Sequence, residues 1–129
     1  MNREIRPSTI APPAANYAHA VVTDSPARWL HSSGVVPVKP DGSVPKSIAE
    51  QADVVWANLA AILDEAMLSV HDIVSITTYV IEKDLDRLAE VMAARDKALG
   101  GRRVASTLVG VPALARKEWR MEIAIVAAR

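Results

Sequence analysis

The sequence predicts two helices laid on one face of a sheet of at least five strands. Three observations carry that expectation. At 129 residues the chain has room for one domain, residues 1–129, and a chain of that size buries roughly two-thirds of its unfolded surface in a single core. Two segments repeat apolar residues at helical spacing. Several short β-branched runs, set between turn residues, surround them in the order β-β-α-β-α-β-β.

The elements follow in chain order. Pro7, Pro12 and Pro13 keep the first dozen residues extended or looped, with room for a short edge strand. "YAHAVV" (17–22) and "RWLHSS" (28–33) are strand candidates, and the turn-rich "TDSP" between them predicts a hairpin. "GVVPVKPDGSVPK" is a proline-bearing loop. Ser47 followed by Glu50 is a capping box that opens the first helix. Its predicted buried stripe is Ile48, Ala52, Val55, Leu59, Ile62 and Ala66.

"DIVSITTYVI" (72–81) reads as a central strand, apolar on both alternating faces. Asp84 is the expected cap of the second helix, with Leu85, Leu88, Met92 and Leu99 as its stripe and Gly100-Gly101 as its stop. "VASTLVGV" (104–111) and "WRMEIAIVAA" (119–128) supply the last two strands. Two helices cover only one face of this sheet. Apolar residues on the other face therefore predict burial against further copies of the chain.

Composition narrows the chemistry. Fifteen Lys and Arg balance fifteen Asp and Glu, which leaves no overall field to hold the molecule on nucleic acid or an anionic membrane. With no cysteine, disulfides, thiolate nucleophiles and Cys-ligated metals are absent. His19, His31 and His71 fit no metal-ligand spacing, and neither G-x-S-x-G nor G-x-G-x-x-G occurs. No metal or cofactor is implied. Trp29, Trp56 and Trp119 read as core or interface residues. "MNREIRPSTIAPP" lacks the apolar core of a signal peptide and no run approaches a membrane span, so a cytoplasmic protein is expected.

Glu122 is the carboxylate of interest, since it interrupts an otherwise apolar strand and shares a face with Arg120, Ala124 and Val126. Two readings stand open: a strand carboxylate that is paired or facing water, and one held in a partly desolvated cleft, where a raised pKa would suit it to move protons.

Taken together, "APPAANYAHAV", "SSGVVP", "EQADVVWANLAAILDEAMLSVHDIVSITTYV", "RRVASTLVGV" and "MEIAIVAA" resemble the RidA (YjgF/YER057c/UK114) family over nearly the whole chain. The resemblance implies an α+β, chorismate-mutase-like fold, with a mixed sheet backed by two helices, and a homotrimer whose sheets form a barrel. It implies a small-molecule ligand in clefts between subunits. In the archetypal activity, reactive enamines and imines such as 2-aminoacrylate are hydrolysed to a keto acid and ammonia. An arginine near the start of the penultimate strand grips the substrate carboxylate, and a glutamate on the last strand lies near the reactive carbon.

Residue by residue, Glu122 matches that glutamate as the catalytic residue and Tyr17 matches the family's tyrosine. Gly34 keeps the glycine of its Ser-Gly-Gln segment, where Val35 replaces the glutamine. Ser106 matches the serine after the arginine, but Ala105 stands where the arginine belongs. Arg103, two residues earlier, is the candidate substitute for substrate binding, with Arg95 another and Arg102 read as flank. The reading is therefore a hydrolase (deaminase) acting on an imine or enamine other than 2-aminoacrylate. The alternative is a non-catalytic ligand-binding or regulatory trimer. A ribonuclease or translation inhibitor is disfavoured by balanced charge and sparse aromatics.

Overall fold

The computed structural model describes residues 1–129. Six strands and two helices alternate: β1 (Asn2–Ile5), β2 (Ala20–Thr23), β3 (Trp29–His31), α1 (Ile48–Glu65), β4 (Ile73–Ile81), α2 (Leu88–Leu99), β5 (Ala105–Val111) and β6 (Met121–Ala128). The main sheet has four strands in the order β3-β6-β4-β5. β4 and β5 are parallel, with α2 as the crossover that parallel neighbours require, and β6 runs antiparallel to β4.

The expected five-stranded sheet with a β2–β3 hairpin is corrected here. β2 pairs with β1 in a separate two-stranded ribbon, and β3 pairs with the end of β6. Distant groups outbid the local turn. The Arg129 carbonyl accepts from the Ala27 and Arg28 amides, and the Arg129 amide donates back to the Arg28 carbonyl. The Asn2 amide donates to the Ala128 carbonyl at 2.9 Å while its oxygen accepts from Thr23 Oγ1 at 2.8 Å.

α1 begins where its sequence predicts, with the Ser47 hydroxyl accepting from the Glu50 amide, but the capping box is only half formed, because the Glu50 carboxylate accepts from the Ser47 hydroxyl at 3.1 Å in place of the Ser47 amide. Ile48, Ala52, Val55 and Leu59 face the core, but the stripe continues through Leu63, while Ile62 is 37% exposed. Trp56 and Leu63 of α1 share one core with Val91 and Leu99 of α2, which places the buried side of α1 through Leu63. Apolar burial of these side chains against Ile76, Ile123 and Ile125 forms the core.

Asp84 does not cap α2. The chain from Glu82 to Arg87 forms a 3₁₀ segment, and α2 starts at Leu88 without a side-chain cap. Its buried residues are Val91, Arg95 and Leu99; Leu85 is exposed, and Leu88 and Met92 are half-buried. Gly100 ends the helix in the left-handed conformation (φ 61°), where a residue without Cβ is favoured.

β4 is also less apolar than its composition suggests. Ile76, Thr78 and Val80 are buried toward the helices, but Ser75, Thr77 and Tyr79 occupy the far face and are half-buried.

Asp84 is held instead by Arg120 at the start of β6, which donates from Nε at 2.8 Å and Nη2 at 2.5 Å. Arg120 Nη1 reaches the Lys46 carbonyl at 2.7 Å. The wholly buried Gln51 completes the junction. Its Nε2 donates to the Pro45 and Glu118 carbonyls, each at 2.8 Å, and its Oε1 accepts from the Arg120 amide at 2.9 Å. Hydrogen bonds from Arg120 and its charge hold the Asp84 carboxyl below its ordinary value of 3.8, against the opposing effect of burial.

A depressed folded-state pKa contributes stability that is complete above the unfolded value and lost as pH falls through the folded one. Asp84→Asn is expected to lower stability at neutral pH by about 2–3 kcal/mol, since it leaves a partly buried guanidinium without its counter-charge. The deficit should shrink on acidification below 3.8. Urea denaturation of both proteins across that range measures it; a deficit independent of pH would assign the loss to packing alone.

Candidate functional site

The sheet face opposite the helices is organised in rows by strand register. Val109, Tyr79 and Glu122 form one row; Thr107, Thr77 and Ala124 form the next; Ala105, Ser75, Val126 and His31 form the third. Neighbours in register share a face, so this surface presents one carboxylate among hydroxyls and small apolar side chains. The hydroxyl series Ser75, Thr77, Tyr79 was legible as alternate letters of "SITTY", but is easily lost in a run that is β-branched throughout.

Glu122 is brought against Gly34. The Ser32–Val35 segment runs beside β6, with the Ser32 amide donating to the Ile125 carbonyl at 3.0 Å and Val35 exchanging amide hydrogen bonds with Ile123 at 2.7 and 3.1 Å. A Cβ built on Gly34 would stand 2.6 Å from Glu122 Oε2, so only glycine lets the chain cross the carboxylate in its present position. Glu122 is half-buried and takes part in none of the chain's four ion pairs.

The chain at Tyr17–Ala18 runs beside Ala105 at another corner of the sheet. Ala18 bridges Ala105 in parallel and its amide donates to the Val104 carbonyl at 2.9 Å. The Tyr17 hydroxyl accepts from the Ala14 amide at 3.4 Å. Ala105 lies two strands and four residues away from Glu122, which is about 16 Å at usual sheet spacings. Within one chain the pairs Tyr17–Ala105 and Gly34–Glu122 are therefore two separate half-sites.

The other residues singled out from the sequence lie elsewhere. Ser106 is in register with buried Ile76, on the helix-facing side of β5. Arg103 donates from Nε to Glu4 Oε1 at 3.0 Å, tying β5 to the ribbon. Arg95 is buried and paired with Asp96 at 3.1 Å, and Arg102 donates to the Val70 carbonyl at 2.6 Å. All three arginines are thus engaged away from the row of Ala105. Trp56 belongs to the core, whereas Trp29 is half-exposed and stacks with His31, ring centroids 6.1 Å apart. No three His, Asp or Glu side chains converge as metal ligands, and no helix is long and apolar enough to cross a membrane.

A family model described as Endoribonuclease L-PSP matches residues 8–129. The chain belongs to this family, the RidA (YjgF/YER057c/UK114) group. As a Rid protein it is 32% identical over 107 residues to Protein MMF1, mitochondrial, of Saccharomyces cerevisiae, which covers 81% of this chain and 70% of the yeast one. Among solved structures it superposes on YyfB of Yersinia pestis, a Rid-family protein of unknown function. The TM-score is 0.88 at 30% identity, covering 99% and 98% of the two chains. The YjgF gene product of E. coli matches with a TM-score of 0.71 at 30% identity over 98% of each chain. E. coli TdcF with bound serine matches with a TM-score of 0.69 at 28% identity, covering 96% and 93%. The α+β, chorismate-mutase-like fold expected from the sequence is the fold of this Rid protein.

The close approach at Gly34 has a measurable consequence. Gly34→Ala meets only the mobile end of the Glu122 side chain, so unfolding free energy is expected to change by no more than about 1 kcal/mol. A crystal structure of the variant should show the Glu122 carboxylate moved to another rotamer. A carboxylate left in place with a displaced backbone would contradict this.

Proposed function

We propose that this Rid protein assembles as a homotrimer and binds a small imine or enamine in clefts between subunits, where Glu122 handles protons during hydrolytic deamination. The observation that carries the reading is the separation of the half-sites. A metabolite of a few heavy atoms cannot touch both Tyr17–Ala105 and Gly34–Glu122 of one chain across about 16 Å. A neighbouring copy supplying the second half-site removes the difficulty. It also covers a sheet face that otherwise leaves Val109 and Trp29 exposed. The serine bound by TdcF is a ligand of the right size on the same fold.

The chemistry follows from one carboxylate and one water. Glu122 as general base takes a proton from a water attacking the C=N carbon, and as general acid returns it to the departing nitrogen. An imine plus water becomes a carbonyl compound plus ammonia, and an enamine enters after protonation at carbon. Ala105 offers no donor, and Arg103, Arg95 and Arg102 are committed to other partners. The hydroxyls of Ser75, Thr77, Tyr79 and Thr107 and the His31 imidazole are the polar groups left on the face. That donor set suits a substrate whose recognition does not depend on a guanidinium fork gripping a carboxylate. The lack of a clamp equally favours a trimer that binds without turnover, and a rate measurement separates the two.

Imines generated in situ from a panel of amino acids, with release of carbonyl product and ammonia followed, provide the test. Turnover of at least one neutral-side-chain imine is expected, reduced on the order of 100-fold in Glu122→Gln. 2-Aminoacrylate should be a poor substrate that improves in Ala105→Arg. Binding of such compounds without product in any case would establish the non-catalytic alternative. Light scattering should return about three times the 13.9 kDa chain mass; a monomer would remove the intersubunit cleft altogether.

A further inference from the structure

We propose a second site, at the end of the sheet where β4 and β5 finish and β6 begins, that takes a small ligand bearing a phosphate or diphosphate group. Two adjoining concavities of about 400 and 460 Å³ meet there and share Lys83 and Lys117 in their walls. Arg116 lines the first and Lys46 the second. These volumes lie within the range of small-ligand sites.

Four cations converge from three separate parts of the chain. Lys46 comes from the loop before α1, Lys83 from the 3₁₀ segment after β4, and Arg116 and Lys117 from the β5–β6 connection. None takes part in an ion pair; the four pairs of the chain involve Arg87, Arg95, Arg103 and Arg120. Arg120 lines the second concavity but is neutralised by Asp84, and so adds nothing to the count. Glu82 and Glu118 are the remaining acidic residues in the walls, also unpaired. Four uncommitted positive groups against two negative ones leave a local excess of two positive charges, on a chain whose formal net charge is zero.

Like charges gathered in a concavity repel one another, and an oligoanion with several acceptor oxygens relieves that repulsion at several points together. Ammonium groups act as point charges toward phosphate, and an arginine fork adds paired donors. The Asp84–Arg120–Gln51 junction holds Pro45, Lys46 and Glu118 in place behind the site. Trp119 forms part of the wall, and its indole N–H is buried without a hydrogen-bond partner. The positive excess is confined to this patch, and the rest of the chain carries a matching formal excess of two negative charges, so a small phosphorylated molecule fits better than a polynucleotide, which needs an extended basic track. Glu122 lines neither concavity, and the proposal stands apart from the deaminase reading.

Pyrophosphate, titrated into the full chain, is the probe. The three tryptophan indoles give separate ¹H–¹⁵N signals, with Trp119 assigned through Trp119→Phe. The Trp119 signal is expected to move saturably, while those of Trp29 and Trp56 stay. Lys83→Gln combined with Lys117→Gln, both at exposed positions, should weaken binding on the order of tenfold or more. Glu122→Gln should leave binding unchanged, so failure of the deaminase reading would not affect this result. Four results would overturn the proposal: no saturable shift, an equal shift with chloride at matched ionic strength, undiminished affinity in the double variant, or an oligoribonucleotide binding at least about tenfold more tightly than pyrophosphate. The last would assign the patch to polynucleotide.

Discussion

The pairing of Asp84 with Arg120, with Gln51 seated behind it, is the constraint on which the arrangement depends. A carboxylate 3% exposed is tolerable only with a charge and donors supplied to it, and Arg120 gives it two. The same guanidinium holds the Lys46 carbonyl, and Gln51 holds Pro45, Glu118 and the Arg120 amide. One junction thus joins the loop before α1, the turn after β4 and the residue that leads into the last strand. That last strand carries Glu122 two residues further on. Where the strand enters the sheet decides which face Glu122 occupies, because a slip of one residue would turn it into the core.

The two faces of the sheet have opposite chemistry for a simple reason. Helices cover one side, and there Ile76, Val80, Met121, Ile123 and Ile125 are excluded from water. Side chains on the other side are mostly hydroxyl-bearing or small, with Glu122 and His31 the titratable groups among them beside the Tyr79 hydroxyl, and most are half-buried. This is the side that the helices leave uncovered, with Val109 and Trp29 exposed at its margins.

What could be read from the sequence follows how local the deciding interaction is. The start of α1 was legible because Ser47 and Glu50 satisfy each other within one turn, and the end of α2 because Gly100 sits next to the residue it caps. The α+β fold was legible through its whole-chain resemblance to Rid proteins. The supposed hairpin failed because β2 and β3 are claimed by residues at the two chain ends, which no turn signal between them reveals. Asp84 reads as a helix cap because an aspartate before an apolar stripe usually is one; its true partner lies 36 residues away. The burial of Leu63 likewise depends on tertiary packing, since it joins a core built from both helices and the sheet. At the candidate site, Glu122 stood out as a charge in an apolar strand. The crossing of Gly34 over it is a meeting of backbone and carboxylate across 88 positions of numbering, which leaves no mark on spacing or composition.

Ala105 has a different bearing once the geometry is considered. An arginine is costly to replace only if its charge was needed by something still bound there. Here three nearby arginines could in principle have reached toward the vacant position. Each is instead held by a distinct structural partner: Glu4, Asp96 or the Val70 carbonyl. Had selection kept a carboxylate-bearing substrate, releasing Arg103 from an exposed pair would have been an inexpensive remedy, since such pairs contribute little to stability. Arg103 remains with Glu4. The face around Ala105 offers hydroxyls, small side chains and the His31 imidazole, and Glu122 is the carboxylate in its rows. On the deaminase reading proposed above, recognition beside Ala105 falls to uncharged contacts, because no guanidinium fork is free there to grip a carboxylate.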